Sequence, residues 1–182
     1  IGRMLKALGI ESQFVDGLRV TDRQTAQVAE MVLAGAINKE LVGWIARAGG
    51  KAIGISGKDG GMVLARKVHA KKAPKAIADA ESGEPLVVDL GFVGEPEHID
   101  TTVIDTICAA GMIPVIAPIG VGADGETYNI NADTMAGSIA AAMGAARLFL
   151  LTDVPGVLDK DKNLLTDLRP ADIRRLAEDG TI

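Results

Sequence analysis

Tyr128-Asn129-Ile130-Asn131-Ala132-Asp133 runs into Thr134-Met135-Ala136-Gly137-Ser138-Ile139-Ala140-Ala141-Ala142-Met143-Gly144, and this junction decides how the rest of the chain is read. Two amides and a carboxylate fall where a polar strand end turns into a helix. Helix starts carry positive potential and free N–H groups that receive anions. Downstream, Arg147-Leu148-Phe149-Leu150-Leu151-Thr152 reads as a buried strand leading into the Pro-Gly turn of Asp153-Val154-Pro155-Gly156-Val157-Leu158. A small-residue helix packed on a sheet between two such loops puts both at one sheet edge, where α/β folds bind ligands. A second reading stays open, in which Asn129, Asn131 and Asp133 are only turn and cap residues, since Asn and Asp favour both places.

The composition supports an α/β domain. A chain of 182 residues suits one domain of ordinary size. With 48% hydrophobic residues but only 3% aromatic, its core is aliphatic and alanine-rich, which suits close helix–sheet packing. A net charge of −5 without a basic block argues against nucleic acid as a partner. Cys108 falls in the pattern Val103, Ile104, Ile107, Cys108 and is expected to be a core thiol in a reducing compartment. No signal peptide and no bilayer-length apolar run is found, so a cytoplasmic location with no membrane partner is expected. The chain opens at Ile1 in helical spacing without an initiator Met and stops at Gly180-Thr181-Ile182, and is expected to be a fragment.

From the N-terminus, Ile1, Met4, Leu5 and Leu8 predict one face of a helix closed by Gly9. Asp16-Gly17 predicts a hairpin that presents Arg19 on one arm, either as a binding group or as a solvated edge charge. Thr21-Asp22-Arg23-Gln24 reads as a capping box. Two amphipathic helices follow, separated at Gly35, and one face, including Trp44, suits either a subunit interface or the core.

Gly57-Lys58-Asp59-Gly60-Gly61 is a near miss to a phosphate-binding P-loop, lacking the glycine five residues before the Gly-Lys pair and the Ser or Thr after it. Met62 to Lys72 predicts a strand with a basic end, Lys71, Lys72 and Lys75 being a solvated face. His69 in that strand, and His98 after the loop Gly94-Glu95-Pro96-Glu97, have no ligand partners at recognisable spacing, so no metal site is assigned. Gly120-Val121-Gly122-Ala123-Asp124-Gly125 fits the dinucleotide fingerprint, but Glu126-Thr127-Tyr128 follows where a helix should open, so a hairpin is predicted. Asp159 to Asn163 reads as a polar loop, and Pro170 opens the last helix. Strands alternating with helices predict a mainly parallel sheet covered on both faces.

Four stretches taken together resemble one family: Phe14-Val15-Asp16-Gly17-Leu18-Arg19-Val20-Thr21, Ser56-Gly57-Lys58-Asp59-Gly60-Gly61, Tyr128 to Asp133, and Leu151-Thr152-Asp153-Val154-Pro155-Gly156-Val157-Leu158. They resemble the amino acid kinase family and, within it, the acetylglutamate kinases of arginine biosynthesis. The resemblance implies an α/β fold, a three-layer αβα sandwich with a mainly parallel central sheet. It implies a single domain truncated at both ends, with about 1–125 as the substrate-binding and dimerisation lobe and about 126–182 as the start of the nucleotide-binding lobe.

The implied reaction moves the γ-phosphoryl group of ATP, with Mg2+ bound to it, onto the side-chain carboxylate of N-acetyl-L-glutamate, giving N-acetylglutamyl 5-phosphate. Arg19 and Asn129 would hold the substrate, and Asp133 would be the catalytic organiser of two lysines. The nucleotide would meet Asp153, Val154, Pro155, Gly156, Val157 and Leu158, with further contacts at Thr181 and Ile182. A homodimer or a hexamer of dimers, and arginine as feedback inhibitor, belong to the same implication. The family's first-strand lysine, H-G-G-G loop and second lysine are not among these 182 residues, so this piece is expected to lack turnover. Two alternatives stand beside this: a kinase of the same fold acting on acetylaminoadipate, glutamate or aspartate, and a non-catalytic amino-acid-sensing module.

Overall fold

The computed structural model describes residues 1–11, 14, 15, 18–68, 71, 72 and 87–181. In chain order the first elements are α1 (Gly2–Ala7), β1 (Phe14–Val15), β2 (Leu18–Arg19), α2 (Arg23–Glu30), a π-helical stretch (Met31–Ile37) and α3 (Asn38–Arg47). Then come β3 (Ala52–Ser56), a 3-10 turn (Asp59–Gly61), β4 (Val63–Lys67), β5 (Lys71–Lys72), β6 (Val87–Val88), β7 (Val93–Ile99) and α4 (Thr102–Ala109). The chain continues with β8 (Ile113–Ala117), β9 (Ile119–Gly122), β10 (Thr127–Ile130), α5 (Ala132–Ala142) and α6 (Pro170–Glu178). It forms two compact units, Ile1–Leu148 and Phe149–Ile182.

The fold is mixed α/β, but the expected mainly parallel central sheet is not what forms among the described residues. Four strands close on themselves in the order β10-β7-β4-β9, and β3 pairs with β8 in a separate parallel pair. In the closed sheet, β10–β7 and β4–β9 are parallel while β9–β10 and β4–β7 are antiparallel. Alternation in a sequence identifies a strand without naming its neighbour. The tight turn after β9 leaves β10 no direction but antiparallel, as the hairpin reading expected. The stretch Gly94-Glu95-Pro96-Glu97, expected as a loop, lies inside β7. Pro96 falls where the register with β4 shifts between Leu64 and Ala65, and that irregularity accommodates a residue with no N–H to give.

Met62, Val63, Ala65, Ile104, Tyr128, Ile130 and Met135 form the main core cluster, so β4, β10, α4 and α5 share one apolar centre. Leu5, Val28 and Val32 form a second cluster that docks α1. Of the face predicted for α1, Leu5 is buried while Met4 and Leu8 are exposed. Cys108, expected in the core, is exposed. Ile104 and Ile107 take the buried side of α4, and the next position turns out of it.

The two helices expected to break at Gly35 are one continuous run from Arg23 to Arg47 with the π-helical stretch inside it. A glycine weakens a helix by about 1 kcal/mol but does not end it when both flanks stay helical. What holds the run is Asn38, buried against the β3–β8 pair. Its Nδ2 donates to Ile55 O (3.1 Å) and Val115 O (2.8 Å). Gly54 makes this approach possible, since a Cβ there would stand 1.8 Å from Asn38 Oδ1. The N-cap of α2 is Asp22, which accepts from Thr25 N at 2.7 Å, rather than Thr21.

Residues 147–152, expected as a buried strand, pair with nothing among the described residues. Leu148, Phe149, Leu150 and Leu151 are exposed, Leu151 completely. A strand is a paired object, and apolar composition alone supplies no hydrogen-bonding neighbour. The expectations at Asp16, Gly17, His69, Lys75 and Ile182 lie outside the described residues. No helix among the described residues is long and apolar enough to cross a membrane.

Candidate functional site

Alternation along β10 sorts its side chains. Tyr128 and Ile130 are buried in the core, which leaves Thr127 and Asn129 on the opposite face. Tyr128 is fixed by its hydroxyl, which donates to Asp124 Oδ2 at 2.7 Å, and by its ring, 6.1 Å from that of Phe92. Burial first, then the Asp124 carboxylate, push its hydroxyl up to about 12, so it stays a neutral donor. The Tyr128 hydroxyl in turn holds the Asp124 carboxyl below the usual carboxylate range.

The strand then turns into α5 at Asn131, whose side chain accepts from Thr134 N at 3.0 Å and from Thr134 Oγ1 at 3.1 Å. Asn131 is therefore the helix cap of the bland reading. Asn129 and Asp133 are not caps. Neither side chain makes a hydrogen bond or ion pair with any described residue, and Asp133 stands exposed in the first turn of α5.

Arg19 reaches the same neighbourhood through backbone bonds. Thr21 N donates to Leu90 O (2.9 Å), Phe92 N donates to Thr21 O (2.7 Å), and Asn129 N donates to Phe92 O (2.9 Å). The chain that carries Arg19 and the strand that carries Asn129 therefore flank one segment, residues 90–92. Gly91 permits this: it has φ +71°, and a Cβ there would stand 2.2 Å from Thr21 O. The Arg19 guanidinium lies 4.3 Å from the Phe14 ring centroid, and its Nη1 is buried with no hydrogen-bond partner among the described residues. A buried, unsatisfied charged donor is costly and is normally explained by a group that arrives to satisfy it.

Two further features escaped the reading of the sequence. Lys58, in the turn read as a failed P-loop and as part of a family stretch but given no role of its own, places Nζ 2.9 Å from Glu30 Oε1 and 2.9 Å from Thr127 Oγ1. A cavity of about 160 Å³ is lined by Arg23, Ala26, Gln27, Glu30, Phe92, Glu126 and Thr127. Within it Arg23 makes a two-pronged ion pair with Glu126, at 3.0 and 2.8 Å. Neither has a short-range signature, because Lys58 and Thr127 lie 69 residues apart.

In the second unit, Asp153, Val154, Pro155, Gly156 and Val157 are exposed, Leu158 is half-buried, and they lead into a small hairpin. Leu158 bridges Leu164, and Leu165 N donates to Val157 O at 2.8 Å. The loop between them is organised by Asp159, whose carboxylate accepts from Asp161 N, Asn163 N and Asn163 Nδ2. The Asn163 amide holds that carboxyl below its ordinary value. Thr181 bonds through N and Oγ1 to Asp179 after α6. Arg19, Asn129 and Asp133 thus share the first unit, and the expected nucleotide residues through Thr181 share the second.

The sequence profile of the amino acid kinase family matches residues 1–182, the whole chain. The chain belongs to the amino acid kinase family. Among relatives of the chain, an acetylglutamate kinase of Novosphingobium aromaticivorans is 92% identical over 182 residues, covering 100% of this chain and 60% of that one. An acetylglutamate kinase of Erythrobacter litoralis is 69% identical over 182 residues, covering 100% of this chain and 59% of that one. The chain therefore spans about 60% of the length of the curated relatives it matches.

Among solved structures, smu.665 of Streptococcus mutans UA159 superposes with a TM-score of 0.78 at 24% identity, covering 100% of this chain and 66% of that one. N-acetylglutamate synthase of Neisseria gonorrhoeae superposes with a TM-score of 0.71, also at 24% identity, covering 97% of this chain and 37% of that one. At that identity both speak for the fold alone.

Proposed function

We propose that this chain is part of an acetylglutamate kinase that transfers the γ-phosphoryl group of ATP to the side-chain carboxylate of N-acetyl-L-glutamate. The observation that carries the reading is the buried Nη1 of Arg19, unpartnered among the described residues, two residues before Thr21, which bonds the same segment 90–92 that Asn129 does. The 92% identity to a protein named acetylglutamate kinase supports the same choice. A guanidinium fork suits a substrate carboxylate, and an amide suits an acetamido group.

The chemistry asks for cations rather than a base, because an attacking carboxylate has no proton to lose. The obstacle is anion meeting anion, so positioning and positive charge supply the acceleration. Asp133 would hold two lysines of the whole enzyme in place. Mg2+ would be carried by the ATP phosphates and water. This fits the donors present: among the described residues no three His, Cys, Asp or Glu side chains converge to hold a metal.

The whole enzyme would be a cytoplasmic three-layer αβα sandwich, with a substrate lobe to about residue 125 and a nucleotide lobe from about 126 that uses Asp153 to Leu158, Thr181 and Ile182. The exposed stripe of Met31, Ile37, Leu41 and Trp44 supports a homodimer, alone or within a hexamer of dimers. Feedback by arginine belongs to this reading on family resemblance alone.

The test is ADP release by the full-length enzyme with N-acetyl-L-glutamate, acetylaminoadipate, glutamate and aspartate. N-acetyl-L-glutamate is expected to give the highest kcat/KM. Asp133→Asn should lower kcat by roughly two to three orders of magnitude while both KM values move much less. Preference for another acid would replace the substrate, and near-normal turnover by Asp133→Asn would reduce that residue to a helix-start carboxylate.

A further inference from the structure

The face of β10 that carries Asn129 is also the face that Lys58 grips. Thr127 and Asn129 are two residues apart on one strand, so their side chains stand about 7 Å from each other on the same side. Lys58 Nζ donates to Thr127 Oγ1 and to Glu30 Oε1, each at 2.9 Å. Glu30 is the last residue of α2, and α2 lies against β10. One ammonium therefore ties the helical run, where α2 passes into its π-helical stretch, to the start of the strand. Its own root is fixed as well: Lys58 N donates to Ser56 Oγ (3.3 Å), and the neighbouring Asp59 carboxylate accepts from Ser56 N (2.6 Å) and Ser56 Oγ (3.0 Å).

The charges around this grip have a consequence for an anionic substrate. Two carboxylates, Glu30 and Glu126, line the cavity that Thr127 shares, and each is matched by one cation: Glu30 by Lys58 and Glu126 by Arg23. Without Lys58, the Glu30 charge would stand unmatched beside the strand face on which a dicarboxylate has to settle. Like charges on one partly shielded face repel each other more than they would in open water.

We propose that Lys58 is a positioning residue for the amino-acid substrate, holding Thr127 and cancelling the Glu30 charge so that the Asn129 face of β10 accepts an anion. The proposal rests on the reading of Asn129 as a substrate-holding residue. It predicts a pattern of KM values in the full-length enzyme that loss of packing alone would not produce. Lys58→Met should raise the KM for N-acetyl-L-glutamate by about tenfold, with kcat and the ATP KM changing by less than about threefold. Adding Glu30→Gln to Lys58→Met should restore most of that loss, because it removes the unmatched charge.

Glu30→Gln by itself leaves Lys58 with spare positive charge and should lower the acetylglutamate KM, whereas a purely structural ion pair predicts no change or a rise. This single variant keeps the test decisive if Lys58→Met does not fold. Thr127→Val, which removes only the hydroxyl acceptor, should raise the KM by about threefold.

The proposal is overturned if Lys58→Met keeps the normal acetylglutamate KM, if the double variant is no better than the single, or if Glu30→Gln raises the KM. Asn129→Ala separates this from the underlying reading. If that variant raises the acetylglutamate KM while the Lys58 and Glu30 variants do not, only the role of Lys58 fails. If Asn129→Ala changes nothing, the substrate reading fails and takes the proposal with it.

Discussion

The stretch from β10 into α5 and the stretch 147–158 differ in what holds their backbones. Asn129 N and Ile130 N are bonded to Phe92 O and Pro118 O, the residues that lead into β7 and β9, and the Tyr128 hydroxyl is held by Asp124. The turn that follows, with Asp133 in it, inherits that rigidity. Residues 148–151 carry apolar side chains but have no ladder partner among the described residues, and the loop from Asp153 follows directly on that segment. Apolar content therefore does not by itself make a strand rigid. A closed set of hydrogen-bonding neighbours does, and catalytic positioning at the level of a few tenths of an ångström needs that closure.

The widest gap between the two stretches should appear in amide hydrogen exchange on the 182-residue chain. The amides of Asn129 and Ile130 are expected to be protected by on the order of a thousandfold or more relative to those of Phe149, Leu150 and Leu151. Comparable protection in both would mean that residues 149–151 find a ladder after all, and the contrast would collapse.

Substitution should reproduce the contrast in stability. Met62 is fully buried at the centre of the main cluster, and Met62→Ala is expected to destabilise the chain by about 2–5 kcal/mol in urea unfolding. Leu151→Ser, at a completely exposed position, should stay within about 0.5 kcal/mol. A large loss at Leu151 would show that its burial matters in solution.

The smallest effect sharpens the picture of the first unit. Asp22→Ala removes the α2 cap and should cost about 0.5–2 kcal/mol near neutral pH. The bond from Thr25 N, with its side chain, holds the Asp22 carboxyl below its ordinary 3.8. A lowered carboxyl contributes stability that is present above pH 3.8 and is lost as the pH falls through the still lower value in the folded state. Because Asp22 is exposed, solvent screens much of this. Thermal melts of the variant and the parent should therefore converge on acidification below about pH 4. A gap that persists there would point to lost packing rather than a lost charged cap.

Several elements were legible from residue order alone. The Asp124-Gly125 hairpin and the Pro170 start of α6 both rest on local chemistry: glycine at positive φ and proline at a helix start. The family was legible for the same reason, since its motifs are short and contiguous. Arg19, Asn129 and Asp133 could be singled out, and Asn131 could not be told from them until its bond to Thr134 N showed it to be the cap.

Whatever depended on a distant neighbour had to wait for the tertiary structure. Cys108 keeps the apolar spacing of α4, yet only the position of the core decides which side of that spacing is buried. Gly35 has a breaker's chemistry, but Asn38 bonded across β3 and β8 keeps the helix running past it. The direction of β4 against β7, the bonding of Thr21 and Asn129 to the one segment 90–92, and the grip of Lys58 on Thr127 all join residues far apart in the chain. Local preferences are set within a few residues by sterics and hydrogen bonding, and those the sequence determined by itself. Pairing, burial and unmatched charge are properties of neighbours, and chain closure over dozens of residues leaves no periodic trace from which they can be read.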